Sequence, residues 1–124
     1  MLGARPIMAF VATTDGAKAR RFYQDVLGLR LVSDEPWAIV FDAGGTTVRV
    51  QKVDAFVPHP FTALGWQVPD IDAAVEQLTA RAVVFERYPG MDHDARGVWR
   101  SPSGARVAWF KDPDGNTLSL TQLG

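Results

Sequence analysis

The chain has 124 residues, 47% hydrophobic and 22% charged, with a formal net charge of −1 and no cysteine. That length supports one domain with a core, since folding removes about two-thirds of the unfolded surface at this size, and the balanced charge offers no grip on a polyanion, so nucleic acid is not expected as a partner. No apolar run approaches the roughly 20 residues that span a bilayer, no basic stretch leads into a cleavable apolar segment, and the missing cysteines exclude disulfides, thiol nucleophiles and thiolate metal sites; a cytoplasmic protein without membrane partners is expected.

Residues 7–12 form an apolar run between Pro6 and Thr13-Thr14-Asp15 and predict a buried strand. Thr14 or Asp15 then offers a capping oxygen to a helix over residues 16–27, with Gly28 placed to terminate it. Ala19, Phe22, Tyr23, Val26 and Leu27 recur at helical spacing and predict the inward face. Strands are predicted at 30–33, 37–42 and 46–52, separated by Asp34-Glu35-Pro36 and Ala43-Gly44-Gly45. Residues 54–61, with Pro58 and Pro60, read as a connector.

The second half repeats the first. Residues 64–68 read as a strand, Asp70 as a cap, and Ile71, Ala74, Val75 and Leu78 as the inner face of a helix. Setting Asp70 on Asp15 gives an offset of 70 − 15 = 55 residues, close to half the chain, which indicates a duplicated unit. Strands at 83–88, 105–110 and 117–121 complete it, residues 90–97 read as an exposed loop, and Asp112-Pro113-Asp114-Gly115-Asn116 dictates a tight turn. The fold class is α+β, one domain of two βαβββ modules, about 5–53 and 62–122.

The stretch Lys18-Ala19-Arg20-Arg21-Phe22-Tyr23-Gln24-Asp25-Val26-Leu27-Gly28-Leu29 and the stretch Phe110-Lys111-Asp112-Pro113-Asp114-Gly115-Asn116 together resemble the vicinal-oxygen-chelate superfamily, which takes in glyoxalases, bleomycin-resistance proteins and extradiol dioxygenases. The resemblance covers nearly the whole chain. It implies tandem βαβββ modules curled into a mixed-sheet cup with helices outside and a small ligand inside. Members of the family hold a divalent metal in the cup by His, Gln or Glu. Carried onto this sequence, the first-, fifth- and eighth-strand ligand positions fall on Met8, Ala63 and Ser119, and the fourth-strand position on Gln51 or a neighbour. A thioether, a methyl and a hydroxyl do not replace imidazoles and a carboxylate, so no divalent metal or other cofactor is expected. A displaced site using His59 and His93 is the exception to test.

If those positions face the cup, alternation places Phe10, Ala12, Gly65, Gln67, Thr117 and Thr121 there as well. The opposite parity, including Ile7, Val11, Leu64, Trp66, Leu118 and Leu120, is apolar and suits the side under the helices. The fourth strand then turns Thr47, Arg49 and Gln51 inward, and Trp109 joins them by resemblance. The expected ligand-binding set is Met8, Phe10, Arg49, Gln51, Gln67, Trp109, Ser119 and Thr121, either lining a ligand site or filling the cup, with Arg49 paired to a nearby carboxylate in the second case.

Three functions follow. The leading one is a metal-independent binder of a small aromatic or anionic molecule, homodimeric like the bleomycin-resistance proteins it resembles, with no catalytic residue assigned. The second is an enzyme, a glyoxalase-like lyase or isomerase or a dioxygenase with a displaced metal, or a metal-free catalyst using Glu86, Asp92 or His93. The third is a non-catalytic interaction module.

Overall fold

A computed structural model describes all 124 residues, and the chain divides into two compact units, residues 1–57 and 58–124. After a short 3-10 turn at Leu2–Ala4, the first unit runs β1 (Met8–Thr13), α1 (Gly16–Arg21), β2 (Arg30–Asp34), β3 (Ala38–Ala43) and β4 (Thr46–Lys52). The second runs β5 (Thr62–Gln67), α2 (Ile71–Ala80), β6 (Trp99–Arg100), β7 (Arg106–Lys111) and β8 (Thr117–Gln122). Each unit holds one four-stranded mixed sheet, ordered β1-β4-β3-β2 and β5-β8-β7-β6. In both, the first strand pairs parallel with the last and the others are antiparallel. The fold is α+β, built of two βαβββ modules.

The duplication is carried by two aspartates. Asp15 Oδ1 accepts from the Lys18 amide at 3.2 Å and Asp70 Oδ1 from the Ala73 amide at 3.1 Å. Their backbones match, at φ −140°, ψ 93° and φ −141°, ψ 96°. Each satisfies one of the amides a helix start leaves unpaired. Asp15, not Thr14, is the cap; its own amide donates to Thr13 Oγ1.

The first helix departs from expectation after Arg21. Phe22–Val26 is a π-helical turn, with the Leu27 amide reaching the Phe22 carbonyl five residues back, and Gly28 closes it at φ +76°. The wider turn seats Tyr23, which is fully buried, against Phe41 at a ring separation of 5.9 Å. Val11, Ile39, Phe41, Val48 and Val50 complete the apolar face of the first sheet. Between β3 and β4, Ala43 pairs with Thr46, leaving Gly44 and Gly45 as a two-residue loop at φ +57° and +93°. Both positive angles are what the hairpin turn matching strand twist requires.

In the second unit α2 packs on β7 and β8, burying Ile71, Val75 and Leu78 with Ala108, Phe110, Leu118 and Leu120. Gln122 Oε1 accepts from the Ile71 amide at 2.9 Å, joining the start of the helix to the end of β8. The β7–β8 turn is organised by Asp112, only 6% exposed, whose Oδ1 accepts from the Asp114 and Asn116 amides and whose Oδ2 accepts from Asn116 Nδ2. The strand expected at 83–88 is reduced to a bridge between Phe85 and Phe110 plus the Glu86 amide donating to the Trp109 carbonyl. The regular pairing lies later, at β6. The loop at 90–97 is less exposed than expected: Gly97 is buried, Met91 and His93 half-buried.

Two expected outcomes follow from local strain and charge. Ala82, just past α2, has φ +67°, a conformation that costs a side-chain-bearing residue about 1–2 kcal/mol. Ala82→Gly should raise unfolding free energy by about 1 kcal/mol in a denaturant titration; a neutral or negative change would refute the strain. Asp72 receives two hydrogen bonds from Arg106, at 3.0 and 2.9 Å, and these hold its carboxyl below the ordinary value of 3.8. A carboxylate depressed on folding adds stability that is fully present above its unfolded pKa and is lost as pH falls through the folded one. Stability should therefore drop on acidification below about pH 4, and Asp72→Asn should flatten that drop; identical pH profiles would refute the assignment.

Candidate functional site

Because side chains alternate across a strand, the residues opposite each buried row share the face that no helix covers. On the first sheet that face carries Met8, Phe10 and Gln51, all exposed, with Arg49 half-buried among them. The register sets Phe10 beside Arg49 and Arg49 beside Val40, while Ala12 and Ala38 flank Gln51. Arg49 forms no ion pair and no hydrogen bond, so the pairing with a nearby carboxylate weighed from the sequence is not found. Its guanidinium presents five N–H donors beside an aromatic ring.

On the second sheet one row runs Gly65, Ser119, Trp109 and the next Gln67, Thr121, Val107, Trp99. The expected residues Gln67, Trp109, Ser119 and Thr121 therefore lie together on one face of this sheet, as Met8, Phe10, Arg49 and Gln51 do on the other sheet. Ser119 is 8% exposed and its hydroxyl has no hydrogen-bond partner, yet it is not sealed from the surface. The space above it exists because residue 65 lacks a side chain: a Cβ there would stand 2.6 Å from Ser119 Oγ. This notch beside Trp109 is a hydrogen-bonding point set into an apolar wall, the mixture that small-molecule sites use.

The wall is larger than the sequence indicated. Trp109 meets Trp99 at 5.9 Å, Tyr88 at 5.5 Å and His93 at 6.2 Å between ring centroids, the last two edge-on. Such pairs contribute about 0.5–1.5 kcal/mol beyond their buried area. Burial, then the charge of Glu86, raises the Tyr88 phenol above its ordinary range. Tyr88 and Trp99 were missed because they fall in or beside a segment without periodicity, and His93 was weighed from the sequence as a metal ligand or acid-base group, not as part of this wall; the available signal was the density of aromatic residues between 85 and 99.

His93 has a structural part here. Its Nε2 accepts from the Tyr88 amide at 3.1 Å, so Nδ1 carries the proton and donates to the Gly97 carbonyl at 2.8 Å. Both ring nitrogens are engaged within the loop. His59 instead stacks on Phe61 at 5.0 Å. No three His, Cys, Asp or Glu side chains are grouped so as to hold a metal ion, and the side chains at Met8, Ala63 and Ser119 do not fit one. Of the carboxylates considered for acid-base work, Asp92 is exposed with no partner, and Glu86 is half-buried with its backbone tied to Trp109.

Against known proteins, the model for the Glyoxalase/Bleomycin resistance protein/Dioxygenase superfamily matches residues 6–120. The chain is similar to a member of that superfamily from Sphaerobacter thermophilus, at 31% identity, covering 96% of this chain and 97% of that one, TM-score 0.73. It is also similar to TnmS3, an antibiotic binding protein from Streptomyces sp. CB03234, at 26% identity, covering 98% and 97%, TM-score 0.70. Among curated proteins it is 28% identical to the uncharacterized protein YraH of Bacillus subtilis, over 88% of this chain and 91% of that one. No helix is long and apolar enough to cross a membrane.

His93→Phe keeps a ring against Trp109 while removing both hydrogen bonds. It should cost about 1–3 kcal/mol and accelerate hydrogen exchange at the Tyr88 amide with a red shift in tryptophan emission. Unchanged protection at Tyr88 would show that His93 does not hold the loop.

Proposed function

Because the chain belongs to the Glyoxalase/Bleomycin resistance protein/Dioxygenase superfamily, we propose that it is a metal-independent, cytoplasmic binding protein of the bleomycin-resistance kind, sequestering a small aromatic or anionic molecule. The observation that carries this reading is the uncovered face of the second sheet, where an aromatic wall around Trp109 stands beside the bare hydroxyl of Ser119. A flat ring lies against such a wall with little loss of rotamer freedom, and a hydroxyl acceptor or donor fixes its orientation. On the first sheet, taken by itself, Arg49 is an unpaired cation suited to a carboxylate or phosphate. Gln67 and Thr121 supply further polar contacts, and Met8, Phe10 and Gln51 a second apolar and amide surface.

The similarity to TnmS3, described as an antibiotic binding protein, supports the same class of activity. Exposure of Met8 and Phe10, 49% and 50%, favours an occupied face over a side chain-filled one. A homodimer is part of the proposal, by resemblance to the bleomycin-resistance proteins.

The test is a titration of the metal-depleted protein with planar aromatic acids, followed by tryptophan quenching. Saturable binding without turnover is expected, weakened roughly tenfold, about 1.4 kcal/mol, by Trp109→Ala and separately by Arg49→Ala. Unchanged affinity in both variants would refute the named contacts, and a stoichiometric transition metal in protein purified without chelator would replace this reading with an enzyme. Light scattering at micromolar concentration should report a dimer.

A further inference from the structure

The second unit carries an open groove of about 830 Å3 outside the aromatic face, within the usual range of ligand sites. Its apolar lining is Val75 on α2, then Val83, Val84 and Phe85 from the segment after it. Val84 is 79% exposed, an aliphatic side chain held in water at the groove. Three charged residues line it, Glu76, Arg87 and Arg96. Arg96 is neutralised locally, since its Nε and Nη2 both donate to Glu76 Oε1. Arg87 is not: its one hydrogen bond runs from Nη2 to the Ala95 carbonyl at 3.0 Å, and it has no ion pair. That bond fixes the guanidinium at the edge of the groove while leaving most of its donors unused.

We propose that this groove binds a small amphipathic monoanion, an aliphatic carboxylate whose chain lies on Val75, Val83, Val84 and Phe85 and whose head is gripped by Arg87. One uncompensated cation matches one negative charge, and the planar fork of an arginine pairs with a carboxylate through two parallel hydrogen bonds. The apolar lining supplies the remaining affinity by removing methylenes from water, about 0.8 kcal/mol for each one buried.

The experiment is a two-dimensional amide NMR titration of the intact protein with sodium octanoate below its micelle concentration, with octanol as the uncharged control. Saturable shifts are expected at Val75, Thr79, Val83 and Arg87. Octanol should bind at least several-fold more weakly, as should octanoate to Arg87→Gln, and Ala80→Trp, which fills the groove from α2, should abolish the shifts. Trp109→Ala should leave them in place, which separates this site from the aromatic face. Absence of saturation at low-millimolar octanoate, equal affinity in Arg87→Gln, or shifts confined to the neighbourhood of Trp109 and Ser119 would each overturn the proposal.

Discussion

Side chains on a strand alternate between two faces, and in each unit the large buried apolar residues of the sheet gather on one of them. Val11, Ile39, Phe41, Val48 and Val50 are buried in the first sheet, Ala108, Phe110, Leu118 and Leu120 in the second. Each of these side chains larger than alanine contributes about 1.5–3 kcal/mol when removed from water, so a slip of one residue in register would exchange this whole set for Met8, Phe10, Arg49 and Gln51, or for Gln67, Ser119 and Thr121. The two hairpin turns guard against it, Gly44-Gly45 by its backbone angles and Asp112 by three hydrogen bonds. Arg49, Gln51, Gln67, Ser119 and Thr121 are thereby kept on the opposite faces.

What the sequence made legible was what is decided locally. The paired aspartate caps, the glycine turns and the alternation of β1, β4 and β8 each depend on a few neighbouring residues, and all are found. The segment after α2 is decided by distant partners. Phe85 is set by its bridge to Phe110, 110 − 85 = 25 residues on, while Trp99 is set by the nearer β7, across a two-residue strand too short to show alternation. The π-helical turn at Phe22–Val26 likewise keeps the apolar spacing of an ordinary helix while adding a residue to it, so that periodicity gave no sign of it. The candidate site divides in the same way: the strand residues named from the sequence lie opposite the buried rows, while Tyr88, held by its own loop, was not named and His93 was named for metal or acid-base work and not for the aromatic wall.

That loop shows how a catalytic-looking residue is put to other use. His93 spends both ring nitrogens on backbone groups of residues 88 and 97, and Asp94 Oδ1 accepts from the amides of Arg96 and Val98. A segment without regular structure thus has its polar backbone satisfied by its own side chains, and the rings it carries are held where a wall is needed.

The missing side chain at position 65 ties two residues to a common fate. With Ser119 Oγ only 2.6 Å from where a Cβ would stand, no larger residue enters position 65 while the serine keeps its place, and the serine hydroxyl remains reachable only while position 65 stays bare. Drift at either position is therefore coupled to the other: among descendants of this chain, a side chain gained at position 65 should come with a hydroxyl at position 119 that is turned away or lost.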